Sequence, residues 1–302
     1  MNFRDVEYFA VLAEHGHVGR AAEALGLSQP ALSVSLRRLE QAMNAKLFKR
    51  TPKGIELTDV GQVLLTQVRR LRQTRDDVMR EVADLSQGRA GNLRVGAHAG
   101  VMDNLMGPAC CALLNAAPNV TLTVTIESNE ASVSAIREGR LDLGVSVMPS
   151  PSHRDLAQEH LLDDTIVVFA SAQHRLAKRK QVTLDDLEGE RWASTAFSAP
   201  ALPLLSLALQ DRGRNALRYV VQTSSLPFRD QLVANTDLLG TSSKRLLRQI
   251  KARHRVVELP IKGFKVKRSV GVFYRRDAYL SPVARQFISI LKTTAKNIAS
   301  ES

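Results

Sequence analysis

Between Ser28 and Met43 the sequence places Pro30, Ser33, Val34 and Arg37 at intervals that share one side of a helix, with Gln29 flanking and Arg38 alongside. Short polar side chains beside a guanidinium group are equipment for reading base edges. Ser and Gln allow a helix to approach a major groove closely, and Arg forks onto a guanine edge or a phosphate. Lys49, Arg50 and Lys53 surround the turn Thr51-Pro52-Lys53-Gly54 and offer cations to phosphates. A second group is polar rather than basic. His98 with Gly100 and Val101, Ser128 with Asn129, Thr195, and Thr223-Ser224-Ser225 lie where strands give way to loops and helices, so hydroxyls and backbone amides gather at positions suited to an anion. Phe197 and Phe228 would add an apolar wall, which favours an aromatic acid. Each of these residues taken singly also reads as a loop cap or core filler. Enzyme chemistry finds no foothold, because G-x-S-x-G, Walker A, G-x-G-x-x-G and H-E-x-x-H are all absent. His15 and His17 do not share a helical face for a metal, and the adjacent Cys110 and Cys111 read as small-residue packing rather than a redox pair. No metal or cofactor is expected.

The elements that must hold these groups follow from periodicity. Val6, Phe9, Ala10 and Ala13 share a face of a first helix, and Ala21, Ala22 and Leu25 fill a face of a short second one that Gly26 ends. Ser28 is placed to cap a third, with Pro30 in its first turn, and Leu32, Leu36, Leu39 and Met43 form its core side. A short helix, a tight turn and a second helix packed by one face is a helix-turn-helix, and Phe48 to Thr58 reads as a wing. The competing reading is a three-helix packing module without nucleic acid. Thr58 then caps a helix to about Gln87, in which Leu64, Leu71, Val78 and Leu85 recur every seven residues and Val68, Arg75 and Val82 follow four after the first three. That heptad seam calls for a second copy of the chain, the alternative being burial in the chain's own core.

From Gly91 strands alternate with helices, the pattern of an α/β fold. Strands are expected at Leu93–Ala97, Thr121–Ile126, Leu141–Val147, Ile166–Ser171, Arg191–Ala193, Arg218–Gln222, Leu238–Gly240 and Ser269–Tyr274. Helices are expected at Asp103–Asn115, Ala131–Glu138, Leu202–Arg212, Pro227–Asn235 and Pro282–Lys296. Two such halves joined by crossing segments imply a cleft for a small molecule.

Bulk properties set the limits. With 302 residues, 44% hydrophobic and 24% charged, the chain suits two or three folded domains rather than a disordered or fibrous one. No apolar run nears the roughly 20 residues that span a bilayer, and Asp5 and Glu7 near the start are unlike a secretory signal, so a cytoplasmic protein without membrane contact is expected. The net charge of +12 is uneven: residues 1–58 carry 8 Lys+Arg against 6 Asp+Glu, whereas residues 237–302 carry 15 against 4. That basic last quarter fits a nucleic-acid surface, an anionic small ligand or a solvated face.

The ordered run Phe9, Arg20-Ala21-Ala22-x-x-Leu25, Leu27-Ser28-Gln29-Pro30-Ala31-Leu32-Ser33, Leu36-x-x-Leu39-Glu40, Leu47-Phe48-x-Arg50 and Leu57-Thr58-x-x-Gly61 resembles the N-terminal signature of LysR-type transcriptional regulators. Gly91-x-Leu93-Arg94-Val95-Gly96, Gly139-Arg140-Leu141-Asp142 and the loop near His174 extend the resemblance over nearly the whole chain. It implies a winged helix-turn-helix over residues 1–58, a dimerising coiled-coil helix over 59–88 and an α/β effector domain over 89–302. That domain would be two-lobed like periplasmic solute-binding proteins, with lobe I about 91–162 and 268–302 and lobe II about 163–267. The implied partners are promoter DNA, a small effector, further copies of the chain up to a tetramer and, for an activator, RNA polymerase. The candidate DNA-contacting set is then Arg20, Ser28, Gln29, Pro30, Ser33, Val34, Arg37, Arg38, Arg50 and Lys53. The effector set is His98, Gly100, Val101, Ser128, Asn129, Thr195, Phe197, Thr223, Ser224 and Ser225, and the dimer set is Leu64, Val68, Leu71, Val78, Val82 and Leu85. Departures from the family pattern include His17-Val18-Gly19 at the start of the second helix, where glycine is expected to serve as the cap, and Thr236-Asp237-Leu238 in place of a Gly-x-Gly.

Overall fold

The computed structural model describes residues 2–52, 54–87, 91–148, 153–195, 201–264 and 266–300. The chain divides into two compact units, Met1–Val82 and Ala83–Ser302.

In the N-terminal unit, helix α1 (Phe3–His15) stops at Gly16, whose φ of 62° places it in the left-handed region while its N–H bonds the Leu12 carbonyl. Helix α2 (Val18–Ala24) is capped by His17, whose Nδ1 accepts the Gly19 N–H at 3.3 Å. The cap is therefore the imidazole rather than the expected glycine. A β-carbon on Gly19 would stand 3.2 Å from Gln29 Nε2, so its role is to leave room for that side chain. Helix α3 (Gln29–Met43) starts as expected, with Ser28 Oγ accepting the Ala31 N–H and proline in the first turn.

Strands β1 (Phe48–Thr51) and β2 (Gly54–Leu57) form an antiparallel hairpin. Its Ile55 N–H bonds the Gly16 carbonyl at 3.1 Å, which docks the wing on the turn between α1 and α2. Helix α4 (Asp59–Gln87) follows, with Thr58 Oγ1 accepting the Gly61 N–H at 3.0 Å. Val6, Phe9, Ala10, Leu39, Leu47, Leu65 and Val68 form the principal core of this unit. Val68, assigned from its spacing to the seam between copies, is 2% exposed and belongs to this core; Leu64 is half-buried beside it. The reason is that the first turns of α4 complete a small domain whose three helices alone leave Phe9 and Leu47 uncovered. Leu71, Val78 and Val82 remain exposed, together with Val60 and Val63. The side chain of Leu85 lies outside the described residues.

In the C-terminal unit the principal sheet runs β10 (Val256–Leu259), β6 (Leu156–Ser171), β11 (Val266–Arg275), β5 (Leu143–Val147), β3 (Asn92–Ala97), β4 (Thr121–Ile126), with β9 (Gly240–Ser243) pairing β6. Helices α5 (Gly107–Ala116) and α10 (Pro282–Ser300) cover one face of lobe I around Leu93, Val95 and Phe287, and α6 (Asn129–Arg137) packs with Leu141, Leu156 and Phe273. In lobe II the parallel pair β7 (Arg191–Thr195) and β8 (Arg218–Thr223) lies beside the segment leading into β9, the Ala193 N–H donating to the Leu239 carbonyl and the Leu239 N–H to the Arg191 carbonyl. Helix α7 (Ala201–Gln210) packs over Trp192, and α8 (Leu226–Asn235) and α9 (Lys244–Arg253) pack over Phe169.

Four expectations change. The strand expected from Ile166 begins at Leu156, and with β11 it forms a ten-residue antiparallel ladder that ties the lobes together. Charged residues Glu159, His160, Asp163 and Asp164 interrupt the apolar run there and conceal the strand in the sequence. The helix expected from Asp103 begins as a short 3-10 turn, Ala99–Val101, and a wide π turn, Met102–Met106, before α5. The strand expected at Leu238–Gly240 is shifted to Gly240–Ser243, and α9 and β10 were not foreseen.

Candidate nucleic-acid interface and ligand cleft

Helix α3 is oriented by its buried side. Leu32 and Leu39 are 1% exposed, and Ser35, also buried, donates through Oγ to Asp5 of α1. The opposite side carries Gln29, Pro30, Val34 and Arg37, all exposed, with Ser33 half-exposed. Val34 at 57% exposure is the informative residue, since an outward valine has no role in this unit's packing and suits contact with a thymine methyl group. Arg20 is exposed on α2. Arg38, expected beside Arg37 as a reading residue, is bound by both its Nε, at 2.8 Å, and Nη2 to the Asp5 carboxylate. That fork draws the Asp5 pKa below the usual carboxylate value despite the opposing cost of burial, with the Ser35 hydroxyl adding to it. Arg38 thus ties α3 to α1 while its side chain stays 60% exposed, and Arg37 is exposed beside it. In the wing, Lys49 faces Glu56 at 3.3 Å across the hairpin, both exposed. Lys53 and the Arg50 side chain lie outside the described residues.

In the C-terminal unit a cavity of about 30 Å³ lies between the lobes. His98, Gly100 and Thr195 from the sequence-based set line it, joined by Arg229 from α8, Arg268 from β11 and Ser242 from β9. His98 Nδ1 accepts the Gly100 N–H at 3.0 Å and so orders the turn that brings lobe I to the cavity. Two arginines converge from opposite lobes, each with a neighbouring carboxylate. Arg268 donates from Nη2 to Asp164 at 2.9 Å, with both side chains buried. Arg229 pairs with Asp230, donates to the Thr241 carbonyl at 2.8 Å and lies over the Phe169 ring at 5.3 Å. The hydroxyl of Ser242 is buried without a hydrogen-bond partner among the described residues, so an incoming polar ligand or water would satisfy it.

Several sequence-based candidates are placed elsewhere. Val101 is 6% exposed in the core of lobe I because its turn points inward. Ser128 caps α6 and Ser225 caps α8, accepting N–H groups of Ala131 and Phe228, while Thr223 accepts from the Ser225 N–H. These hydroxyls are occupied in holding helix ends, and Ser224 is exposed. Asn129 Oδ1 is buried without a partner among the described residues, at the start of α6. Phe228 is 50% exposed and does not line the cavity, and Phe197 lies outside the described residues. Arg268 was missed because only its cross-strand pairing with Asp164 brings it to the cavity. Ser242 was missed with the strand that carries it.

Residues 86–296 match the family model described as the LysR substrate binding domain, and residues 3–62 match that of the bacterial regulatory helix-turn-helix protein, lysR family. The chain is 26% identical over 296 residues to the HTH-type transcriptional regulator CbbR of Rhodospirillum rubrum, spanning 98% of this chain and 97% of that protein. It is 34% identical over 144 residues to ClcR of Pseudomonas putida, 48% of this chain and 49% of that one. Among solved structures it is similar to full-length CbnR complexed with its target DNA, with TM-score 0.62 and 19% identity, covering 97% of this chain and 100% of that chain. A full-length OxyR variant from Pseudomonas aeruginosa gives TM-score 0.61 and 21% identity over 98% of this chain and 95% of that one. These relatives are transcriptional regulators and not enzymes.

Proposed function

The chain belongs to the LysR family of DNA-binding transcriptional regulators with a substrate-binding domain, and from that premise we propose how its residues divide the work. Helix α3 enters a major groove with Gln29, Ser33, Val34 and Arg37 toward base edges, while Arg20 and the wing cations Arg50 and Lys53 hold phosphates. The exposed row Leu71, Val78 and Val82 on α4 pairs two copies as a coiled coil, and two such dimers make a tetramer spanning successive half-sites in promoter DNA. A small anion enters between the lobes, where Arg229 and Arg268 converge and the Ser242 hydroxyl lacks a partner among the described residues; its arrival changes the bending of bound DNA and, for an activator, the contact with RNA polymerase. The polar lining groups His98, Thr195, Arg229, Ser242 and Arg268 suit a carboxylate or phosphate. The protein works where bacterial DNA is, in the cytoplasm.

The observation that carries the DNA-binding reading is the exposed polar and valine face of α3, held rigid from behind by Asp5, Ser35 and Arg38. Selection of random duplexes by the full chain tests it. The expected winner is a partly palindromic sequence with two half-sites about one helical turn apart. Pools that stay random after repeated rounds would refute the reading.

A further inference from the structure

A second hollow, of about 590 Å³, lies against the strands that join the lobes and shares Arg268 with the cleft cavity as a common wall. Lys244, Arg245 and Arg248 of α9 enter it, as do Lys267 and Arg268 of β11, against two carboxylates, Asp163 and Asp164. Asp164 is neutralised by Arg268, and Asp163 accepts from Ser269 Oγ at 2.7 Å and faces His160 at 3.0 Å. Arg245 is a fixed part of the wall, donating to the Ile298 carbonyl at 3.1 Å and the Asp163 carbonyl at 3.4 Å. The side chains of Lys244 and Lys267 are both exposed and form no hydrogen bond or close ion pair among the described residues, although, with the Ser269 hydrogen bond as the larger cause, the Lys267 charge helps hold the Asp163 carboxyl below its usual range. Among the residues that line the concavity, five cations face two carboxylates.

The arrangement of α9 makes that excess informative. A helix N-terminus favours acidic residues, because its unpaired N–H groups already carry positive charge. This helix has no acid in its first turn and opens with Lys244-Arg245, capped by Ser243 Oγ on the Arg245 N–H at 3.2 Å. The helix dipole and the two cations reinforce one another in a recess, where low-dielectric walls strengthen the field. Helix stability does not explain such a sequence; an anion in the hollow does.

We infer that this hollow is a binding site for a phosphate-bearing small molecule, separate from the ligand of the cleft. Phosphate chemistry fits better than a single carboxylate, since Lys244 and Lys267 offer two lysine cations beside the N-terminus of α9. Lysines serve as point charges for phosphate oxygens and Arg248 as a forked donor. The volume is within the usual range for small-ligand sites. Because β6 and β11 form its floor, an occupant would bear directly on the strands that connect the lobes.

The test is calorimetry of the full-length chain with inorganic pyrophosphate at physiological ionic strength, with no DNA present, so that its outcome is independent of the DNA-binding reading. Wild type should give saturable heat. The double variant Lys244→Gln with Lys267→Gln, both exposed positions, should keep the wild-type Tm and bind at least about tenfold more weakly, in line with the loss of two charge-assisted contacts. The cleft variant Thr195→Val should bind pyrophosphate as wild type does. Absence of saturable heat in wild type, undiminished binding in the double variant, or equal loss in Thr195→Val would each overturn the inference. So would a double variant that loses affinity for duplex DNA while its pyrophosphate binding is unchanged, since that assigns the surface to nucleic acid.

Discussion

Arg37 and Arg38 are adjacent and chemically identical, yet the fold gives them different work. Arg38 forks onto Asp5 and pins α3 to α1, while Arg37 faces away from the core. Replacing Arg37 by Ala should weaken specific DNA binding by about 1–3 kcal/mol, with thermal stability unchanged and calorimetric ligand binding intact. Replacing Asp5 should act differently. The carboxyl has a lowered pKa in the fold because of the Arg38 fork, so its contribution is present above the unfolded carboxylate value and is lost as pH falls through the folded one. Asp5→Asn should therefore flatten the acid limb of the stability profile, read as Tm against pH below about pH 4, the unfolded-state range for Asp. It should also lower DNA affinity by loosening α3. An unchanged acid limb would remove the fork from the account.

At the scale of elements, α4 illustrates how far periodicity reaches. Its length, its capping by Thr58 and its seven-residue spacing were all legible, because they depend on local geometry alone. The assignment of Val68 was not, since only tertiary packing decides that the first turns of the helix complete the N-terminal core. A like limit hid α9, whose cations fitted a nucleic-acid surface, an anionic ligand or a solvated face equally, whereas its apolar Leu246, Leu247 and Ile250 are buried in lobe II. In the cleft, His98, Gly100 and Thr195 were recognisable from strand ends, whereas Arg229 and Arg268 required knowledge of which distant strands meet. Two predictions belong here. A β-carbon at Gly61 would lie 2.1 Å from the Leu47 carbonyl, so Gly61→Ala should destabilise the N-terminal unit by roughly 1–3 kcal/mol in chemical denaturation. The double variant Leu71→Glu with Val78→Glu changes exposed positions of α4 and should leave the fold intact while shifting sedimentation toward monomer. Sedimentation equal to wild type would mean that copies associate by another surface.

For the molecule as a whole, one covalent chain carries a reading helix, a long helix with an exposed apolar row and a two-lobed unit whose cleft is lined by two ion-paired arginines. The modest charge of residues 1–58 bears on how DNA is held. With 8 Lys+Arg against 6 Asp+Glu there, nonspecific attraction by this segment should be weak and base contacts should decide affinity. The lobes are joined by the β6 and β11 ladder, by Gln249 donating to Asn104, by Arg245 donating to the Ile298 carbonyl and by the Arg268–Asp164 pair. The central claim, sequence-specific recognition of DNA, is tested most directly by fluorescence anisotropy of the full chain. The titration sets DNA from upstream of its own gene against scrambled DNA of equal length at physiological salt. The account predicts binding of the upstream DNA about 10³-fold or more tighter than the scrambled duplex. Equal, weak and steeply salt-dependent binding of both would contradict it, leaving only electrostatic attraction with no part for Gln29, Ser33 and Arg37.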